Sequence, residues 1–334
     1  MCSSVSTLVC VHLQHTCDHT FSRTILLFQS RYRYAFPASR WNTRWQSAQF
    51  ESHSKQRETR VSVIRLKSYH RLEDIHGYLD YLAETFPDVC SVVSIGNSVE
   101  GRPLKVLRIS NGKANVPALW IDGGIHAREW ISPAAVTYII NHLVENSEDL
   151  EADYYILPVV NPDGYEYTFT RDRLWRKNRK RSVGSLCTGV DLNRNFGYRW
   201  GGLGTSKDPC REIYAGSGPF SEPETNAIRY FFEASAANFK VTHNYSNITP
   251  ITSYFASILQ WPRFLSYYVS VKNFTSSGGS DDWAKAILKM KYTYTIELKD
   301  TGKYGFVLPA RYIIPTAKEA LAAVMVVTEA CKSS

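Results

Sequence analysis

From about Val61 to the C-terminus the apolar residues alternate between two periods, and that alternation most limits the fold. Leu72, Ile75, Leu79, Leu82 and Phe86 recur at helical spacing, and Pro87-Asp88 ends the run. Segments 89–95 and 104–109 read as strands joined by a turn at Glu100-Gly101-Arg102-Pro103. Segment 118–121 is a short buried strand that runs into Gly123-Gly124. A helix is expected over 132–145, with Ser132 at the N-cap and Pro133 in its first position. Segment 154–160 is a further buried strand, ending in a turn at Asn161-Pro162-Asp163-Gly164. A strand over 292–298 and a helix over 316–328 complete the pattern. Strand–helix alternation predicts a single α/β domain: a mixed, mostly parallel twisted sheet with helices on both faces. In such sheets the site gathers on loops leaving the carboxyl ends of strands.

Charge and composition exclude other classes. The net charge of +8 invites a nucleic-acid reading, but residues 1–68 hold ten Lys/Arg against three Asp/Glu. The rest of the chain is nearly neutral, so no nucleic-acid partner is expected. No run of eighteen apolar residues occurs, so no membrane span is expected either. Residues 1–60 show neither period and read as an unstructured leader; the first residues lack a basic segment and make a poor signal peptide. Seven cysteines are present. Cys187 and Cys210 flank a Gly-rich stretch that a bridge would staple, although their spacing is equally open to two unpaired thiols.

The residues that carry chemistry begin at Gly123-Gly124-Ile125-His126-Ala127-Arg128-Glu129-Trp130. His126 and Glu129 are three apart, so a tight turn projects them to one side. An imidazole and a carboxylate converging there suit Zn²⁺, which takes nitrogen and oxygen at about 2.0–2.2 Å. Taken alone, H-x-x-E also fits a solvent-facing turn. Glu297 ends a strand, where a carboxylate needs either a salt-bridge partner such as Lys299 or a role as general base. Residues 171–181 hold seven Arg/Lys, most of them expected to face solvent.

Taken in order, these segments resemble the carboxypeptidase A/B subfamily of zinc metallocarboxypeptidases. His126-Ala127-Arg128-Glu129-Trp130 resembles its metal-binding segment, and Arg173-Leu174-Trp175-Arg176-Lys177-Asn178-Arg179 its arginine-bearing loop. Gly189-Val190-Asp191-Leu192-Asn193-Arg194-Asn195-Phe196 resembles the segment that binds the substrate carboxylate. Gly278-Gly279-Ser280-Asp281-Asp282-Trp283 resembles the specificity loop, and Thr295-Ile296-Glu297-Leu298 the strand of the catalytic glutamate. The resemblance spans about residues 68–330 and implies one Zn²⁺ per chain in a His₂Glu set. His126, Glu129 and His243 would be the ligands, with Asp191 orienting a ligand histidine. It further implies Glu297 as proton carrier and Arg176 as oxyanion stabiliser. Arg128, Asn193, Arg194 and Phe274 would bind substrate, and Asp281 would select a terminal Lys or Arg. The implied protein is an extracellular monomer acting on peptide and protein C-termini.

The pattern departs from the family at residues 242–277. The family's ligand strand reads Phe-Lys-x-x-x-x-x-His-Ser-Tyr, whereas here Phe239-Lys240-Val241 leads directly to Thr242-His243-Asn244-Tyr245. Position 274 is Phe where the family has a substrate-binding tyrosine. Either His243 is recruited after a local shift, or the stretch is foreign sequence from an altered gene product. The expected domain is therefore 68–334, with 242–277 divergent or disrupted. Its expected activity is zinc-dependent release of a C-terminal residue. The rival is an impaired paralogue that binds peptide C-termini without turnover.

Overall fold

The computed structural model describes residues 8–15, 64–235, 277–298 and 303–332, the first stretch by its backbone alone. Six strands form one sheet: β1 (Leu8–His15), β2 (Cys90–Asn97), β3 (Pro103–Ile109), β4 (Ala118–Gly123), β5 (Asp153–Leu157) and β6 (Tyr292–Leu298). Their spatial order is β2-β3-β5-β4-β1-β6. β2–β3 and β3–β5 are antiparallel, whereas β5–β4, β4–β1 and β1–β6 are parallel, which gives the expected mixed sheet.

The strand at Leu8–His15 corrects the reading of residues 1–60 as wholly unstructured. Leu-Val-Cys-Val-His-Leu is apolar and β-branched enough for a strand inside a sheet, but the polar sequence around it hid the segment. The remainder of that leader lies outside the described residues.

Alternation along each strand sorts the core into two layers. Leu119 and Ile121 of β4 and Ile296 and Leu298 of β6 join one cluster. It is closed by α1 (Leu72–Thr85), α2 (Ile131–Glu145) and α6 (Ile313–Lys332). Val106 of β3 and Trp120 of β4 face the other way. They pack with Ile228 and Phe232 of α4 (Pro223–Ser235) and Trp283 of α5 (Ser280–Ala286). Helices thus cover both faces, as the strand–helix alternation predicts.

Two local expectations are revised. α2 starts at Ile131, so Ser132 is not its cap; its Oγ instead accepts from Gly124 N at 2.9 Å. The 161–164 segment is the first turn of α3 (Pro162–Thr170), with Asn161 capping it by accepting from Gly164 N at 2.9 Å. Pro162 in the first position and Asn161 before it are a helix start as much as a turn.

The loop at 171–196 has little regular structure and is held by buried amides. Asn178 Oδ1 accepts from Val190 N at 2.8 Å and from Lys180 N at 3.2 Å. Its Nδ2 donates to Glu222 at 2.7 Å and to Glu224 at 3.2 Å. Glu224 is fully buried, and burial pushes its carboxyl up to about 7, against bonds from Val99 N and Asn178 that favour the charged form. A carboxyl raised in the folded state favours folding below its unfolded value, about 4.5, and that contribution is lost as pH rises through about 7. Stability should therefore fall by roughly 3 kcal/mol over that window on account of Glu224. Glu224→Gln should remove this part of the slope, read as the difference between urea midpoints at pH 4.5 and pH 8.

Candidate active site

The site begins where β4 ends. Gly123 lies against α2, where an added Cβ would meet Ser132 Oγ and Val136 Cγ2, each at 2.8 Å. Gly124 has φ +63°, and a Cβ there would meet Pro133 Cγ at 2.9 Å. The chain can therefore turn sharply off the strand only without side chains here. Ala127 N donates to Arg176 O at 3.0 Å, and Glu129 N donates to His126 O at 3.2 Å, closing the tight turn expected for H-x-x-E.

That turn brings His126 and Glu129 together, both 2% exposed. His126 Nδ1 lies 2.9 Å from Glu129 Oε1, and Nε2 lies 3.2 Å from Asp191 Oδ1. Asp191 is wholly buried. Burial alone would raise its carboxyl, but Arg176 and then His126 outweigh burial and hold it well below the usual carboxylate range. An ionised Asp191 only accepts, so His126 Nε2 must carry a proton. In the neutral ring Nδ1 then turns a lone pair toward a carboxylate oxygen 2.9 Å away. Either a proton on Nδ1 or a bound cation satisfies this pair, and an imidazole nitrogen beside a carboxylate oxygen is a donor set that zinc takes. These residues fit a zinc ligand pair. Among the described residues no group of three His, Cys, Asp or Glu side chains gathers around a metal position. His243 and Phe274 lie outside the described residues.

Arg176 shares the same aspartate, donating from Nε at 3.1 Å and Nη2 at 2.8 Å to Oδ2. Its side chain is 13% exposed and the adjacent Lys177 is buried as well, at 3%, so two cations of a basic run otherwise expected to be solvated turn inward. Asp191 Oδ1 also accepts from Asn193 N at 3.0 Å. Asn193 Oδ1 accepts from Ser280 N at 3.0 Å, and Phe196 N donates to Gly278 O at 3.0 Å. The 278–283 loop is thereby docked on the 189–196 segment. Arg194 is braced through Nε to Gly204 O at 3.0 Å and Nη1 to Asn193 O at 2.8 Å. Arg128 lies at the rim, donating to Glu212 at 3.1 Å and stacked over Phe306 at 4.3 Å.

Asp281 and Asp282 occupy the first turn of α5, with Asp281 half-buried and Asp282 exposed. Glu297 is half-buried and penultimate in β6, so it too lies at the carboxyl end of the sheet. With β1 between them, β6 and β4 are about 10 Å apart, two strand spacings.

Supporting residues escaped the sequence reading. Asn161 Nδ2 donates to Ile125 O at 3.3 Å and to Lys177 O at 3.0 Å, tying the His126 turn to the Arg176 loop. Arg173 stacks on Trp130 at 3.7 Å and donates to Arg128 O at 2.8 Å. The Asn161-Pro162 pair carries a helix-start pattern that could have marked Asn161, and no local signal sets Arg173 apart from its basic neighbours. Cys187 and Cys210 form a disulfide with their Cα atoms 5.1 Å apart, which settles the pairing that spacing left open.

The zinc carboxypeptidase family (Peptidase_M14) matches residues 75–257 and 253–323, two pieces that overlap where the family pattern is interrupted. The chain is 42% identical to carboxypeptidase B of Astacus astacus over 297 residues, covering 80% of this chain and 98% of the relative. It is 39% identical to carboxypeptidase B2 of Homo sapiens over 301 residues, covering 79% and 71%. Among solved structures, bovine thrombin-activatable fibrinolysis inhibitor bound to tick carboxypeptidase inhibitor aligns with TM-score 0.69 at 37% identity, covering 80% of this chain and 99% of that one. A carboxypeptidase A from Helicoverpa armigera aligns with TM-score 0.68 at 29% identity, covering 84% and 77%. A buried His-x-x-Glu turn on an α/β sheet, with this breadth of likeness, makes the chain a member of the zinc carboxypeptidase family and a metallocarboxypeptidase.

Proposed function

We propose that this protein removes Lys or Arg from the C-termini of peptides and proteins, using one Zn²⁺ per chain. The observation that supports it most is the buried His126–Glu129 pair, with Asp191 bonded to both His126 and Arg176. When bound, zinc supplies Lewis acidity that polarises the scissile carbonyl and activates water. His126 and Glu129 would hold it.

The remaining roles belong to the chain's own groups. Glu297, at the strand end, takes the proton of the attacking water on a carboxylate oxygen and returns it to the leaving amine. Arg176 has two nitrogens fixed on Asp191, so its guanidinium is preorganised, and Nη1 makes neither of those bonds. It stabilises the oxyanion as the carbonyl becomes tetrahedral. Arg194 grips the substrate's terminal carboxylate, helped by the side-chain amide of Asn193. Such a clamp selects a chain end over an internal bond. Asp281 faces a basic terminal side chain, which a half-buried carboxylate favours over a neutral one. The relatives named carboxypeptidase B agree with that preference. An extracellular site of action is in keeping with the Cys187–Cys210 bridge, a bond that persists in oxidising compartments.

Glu297→Gln should retain zinc by metal analysis but lose about 10³-fold or more in kcat on a peptide ending in Arg. Glu129→Gln should instead lose the metal. Near-normal turnover by the Glu297→Gln variant would refute the assigned roles. Asp281→Ala should lower kcat/KM for a C-terminal Arg by about 100-fold, with no loss on a C-terminal Leu. The neighbouring Asp282→Ala should change either value by less than about threefold.

A further inference from the structure

The basic run 171–181 divides by what its cations touch. Arg173 stacks on Trp130, Arg176 is fixed on Asp191, Lys177 donates to Pro209 O at 2.6 Å, and Arg179 lies over Tyr167 at 3.7 Å. Arg171 closes α3, its backbone N donating to Tyr167 O at 2.9 Å. Lys180 and Arg181 differ. Both are exposed, and among the described residues neither side chain has a hydrogen-bond or ion-pair partner.

The backbone that carries them is a narrow hairpin. Gly189 N donates to Lys180 O at 2.7 Å, and an antiparallel bridge joins Arg181 to Thr188. Past that bridge the chain turns through Ser182–Cys187, with Gly184 at φ +75° and with Val183 and Leu186 fully exposed. A glycine-bearing tip outside the core opens at little cost, which is where proteases nick folded chains.

We propose that Arg181–Ser182 is a cleavage site for a trypsin-like serine protease, and that the new end is then trimmed by this enzyme itself. Such a protease carries an acid in its primary pocket and cuts after an accessible Lys or Arg. Hydrolysis adds one water across the bond, leaving a carboxylate on Arg181 and an amine on Ser182. The first piece then ends in Arg179-Lys180-Arg181, the kind of terminus that the activity proposed above removes. A second copy releases Arg181 and then Lys180. The trimming rests on that reading of the activity; the cut does not.

The cut also parts the site between two chains. His126, Glu129 and Arg176 stay on the first piece, and Asp191, Arg194, Asp281 and Glu297 go to the second. The Cys187–Cys210 bridge lies wholly in the second, while Cys90 and Cys331 are free, so no disulfide among the described residues joins the pieces. They are held by Asn178 on Val190, Glu222 and Glu224, by Arg176 on Asp191, and by the pairing of β6 and β4 with β1. All of these contacts lie away from the tip, so the nicked protein stays assembled.

The test exposes the native full-length chain to dilute trypsin, then inhibits the trypsin and identifies the pieces by N-terminal sequencing and intact mass. A piece beginning Ser182-Val183-Gly184 should form at no less than about a tenth of the rate seen for the same bond in the heat-unfolded chain. A bond exposed only by global unfolding would lag by about 10³-fold or more, and that result would overturn the cleavage site. The Lys180→Gln/Arg181→Gln double variant should give no such piece and keep wild-type turnover. The two wild-type pieces should elute together on gel filtration, and their melting temperature should depend on protein concentration, as the intact chain's does not. On standing, the first piece of the active enzyme should lose Arg181 and Lys180, whereas that of Glu297→Gln should keep both. Absence of trimming by an enzyme that does release Arg from a peptide would overturn the second step and leave the cleavage site in place. Failure to release Arg from any peptide would overturn the activity reading and the trimming together, with the cut unaffected.

Discussion

The arrangement of the site depends on one fully buried carboxylate. Asp191 stays ionised away from water because both its oxygens are bonded: Oδ1 by His126 and the Asn193 backbone, Oδ2 by Arg176. A buried charge without such partners would be neutralised or expelled. The same bonds assign the work of its neighbours. They fix the tautomer of His126, turn its other nitrogen toward Glu129, and hold the Arg176 guanidinium at a set angle. His126, Arg176 and the 189–196 segment are thus oriented by one buried residue that contacts all three.

Secondary structure alone would not bring those groups to one place. Arg176 and Asp191 lie on a long irregular loop, and its order comes from side-chain amides that replace missing ladder hydrogen bonds. Asn161 bridges the His126 turn to that loop, and Asn178 bridges the two arms of the loop. The disulfide closes the same region from outside, constraining a loop whose opening would scatter the site. Glycines do the complementary work of admitting backbone where side chains would collide. At Gly278, with φ +77°, a Cβ would lie 2.2 Å from Arg194 O, so only glycine lets the 278–283 loop sit this close to Arg194.

How much of this was readable in advance follows the range of the interactions. Local periodicity located α1, β3, β4 and β6 to within a residue or two, because their burial patterns are set by their own sequences. The pairing of His126 with Glu129 was equally local. The pairing of Arg176 with Asp191 was not, since six other cations in the run give the same signal and Lys177 is buried beside it. Ser132 looked like a cap because its residue type and place before Pro133 suit one; contact with Gly124, eight residues earlier, redirected it. The strand at Leu8–His15 was missed altogether. Eight residues give too little periodicity to stand out, and the partners that make them a strand are far along the chain.

That distance bears on how the protein assembles. Val9 pairs with Tyr292, so neighbouring rows of the sheet join segments that lie far apart in sequence. Closing so long a loop carries an entropic cost that no local contact repays until both neighbours are in place. A growing chain releases its first strand long before β6 exists, and the half-built sheet must keep a place open for it. Closure of this sheet should therefore be late and slow, completed only once synthesis has passed β6.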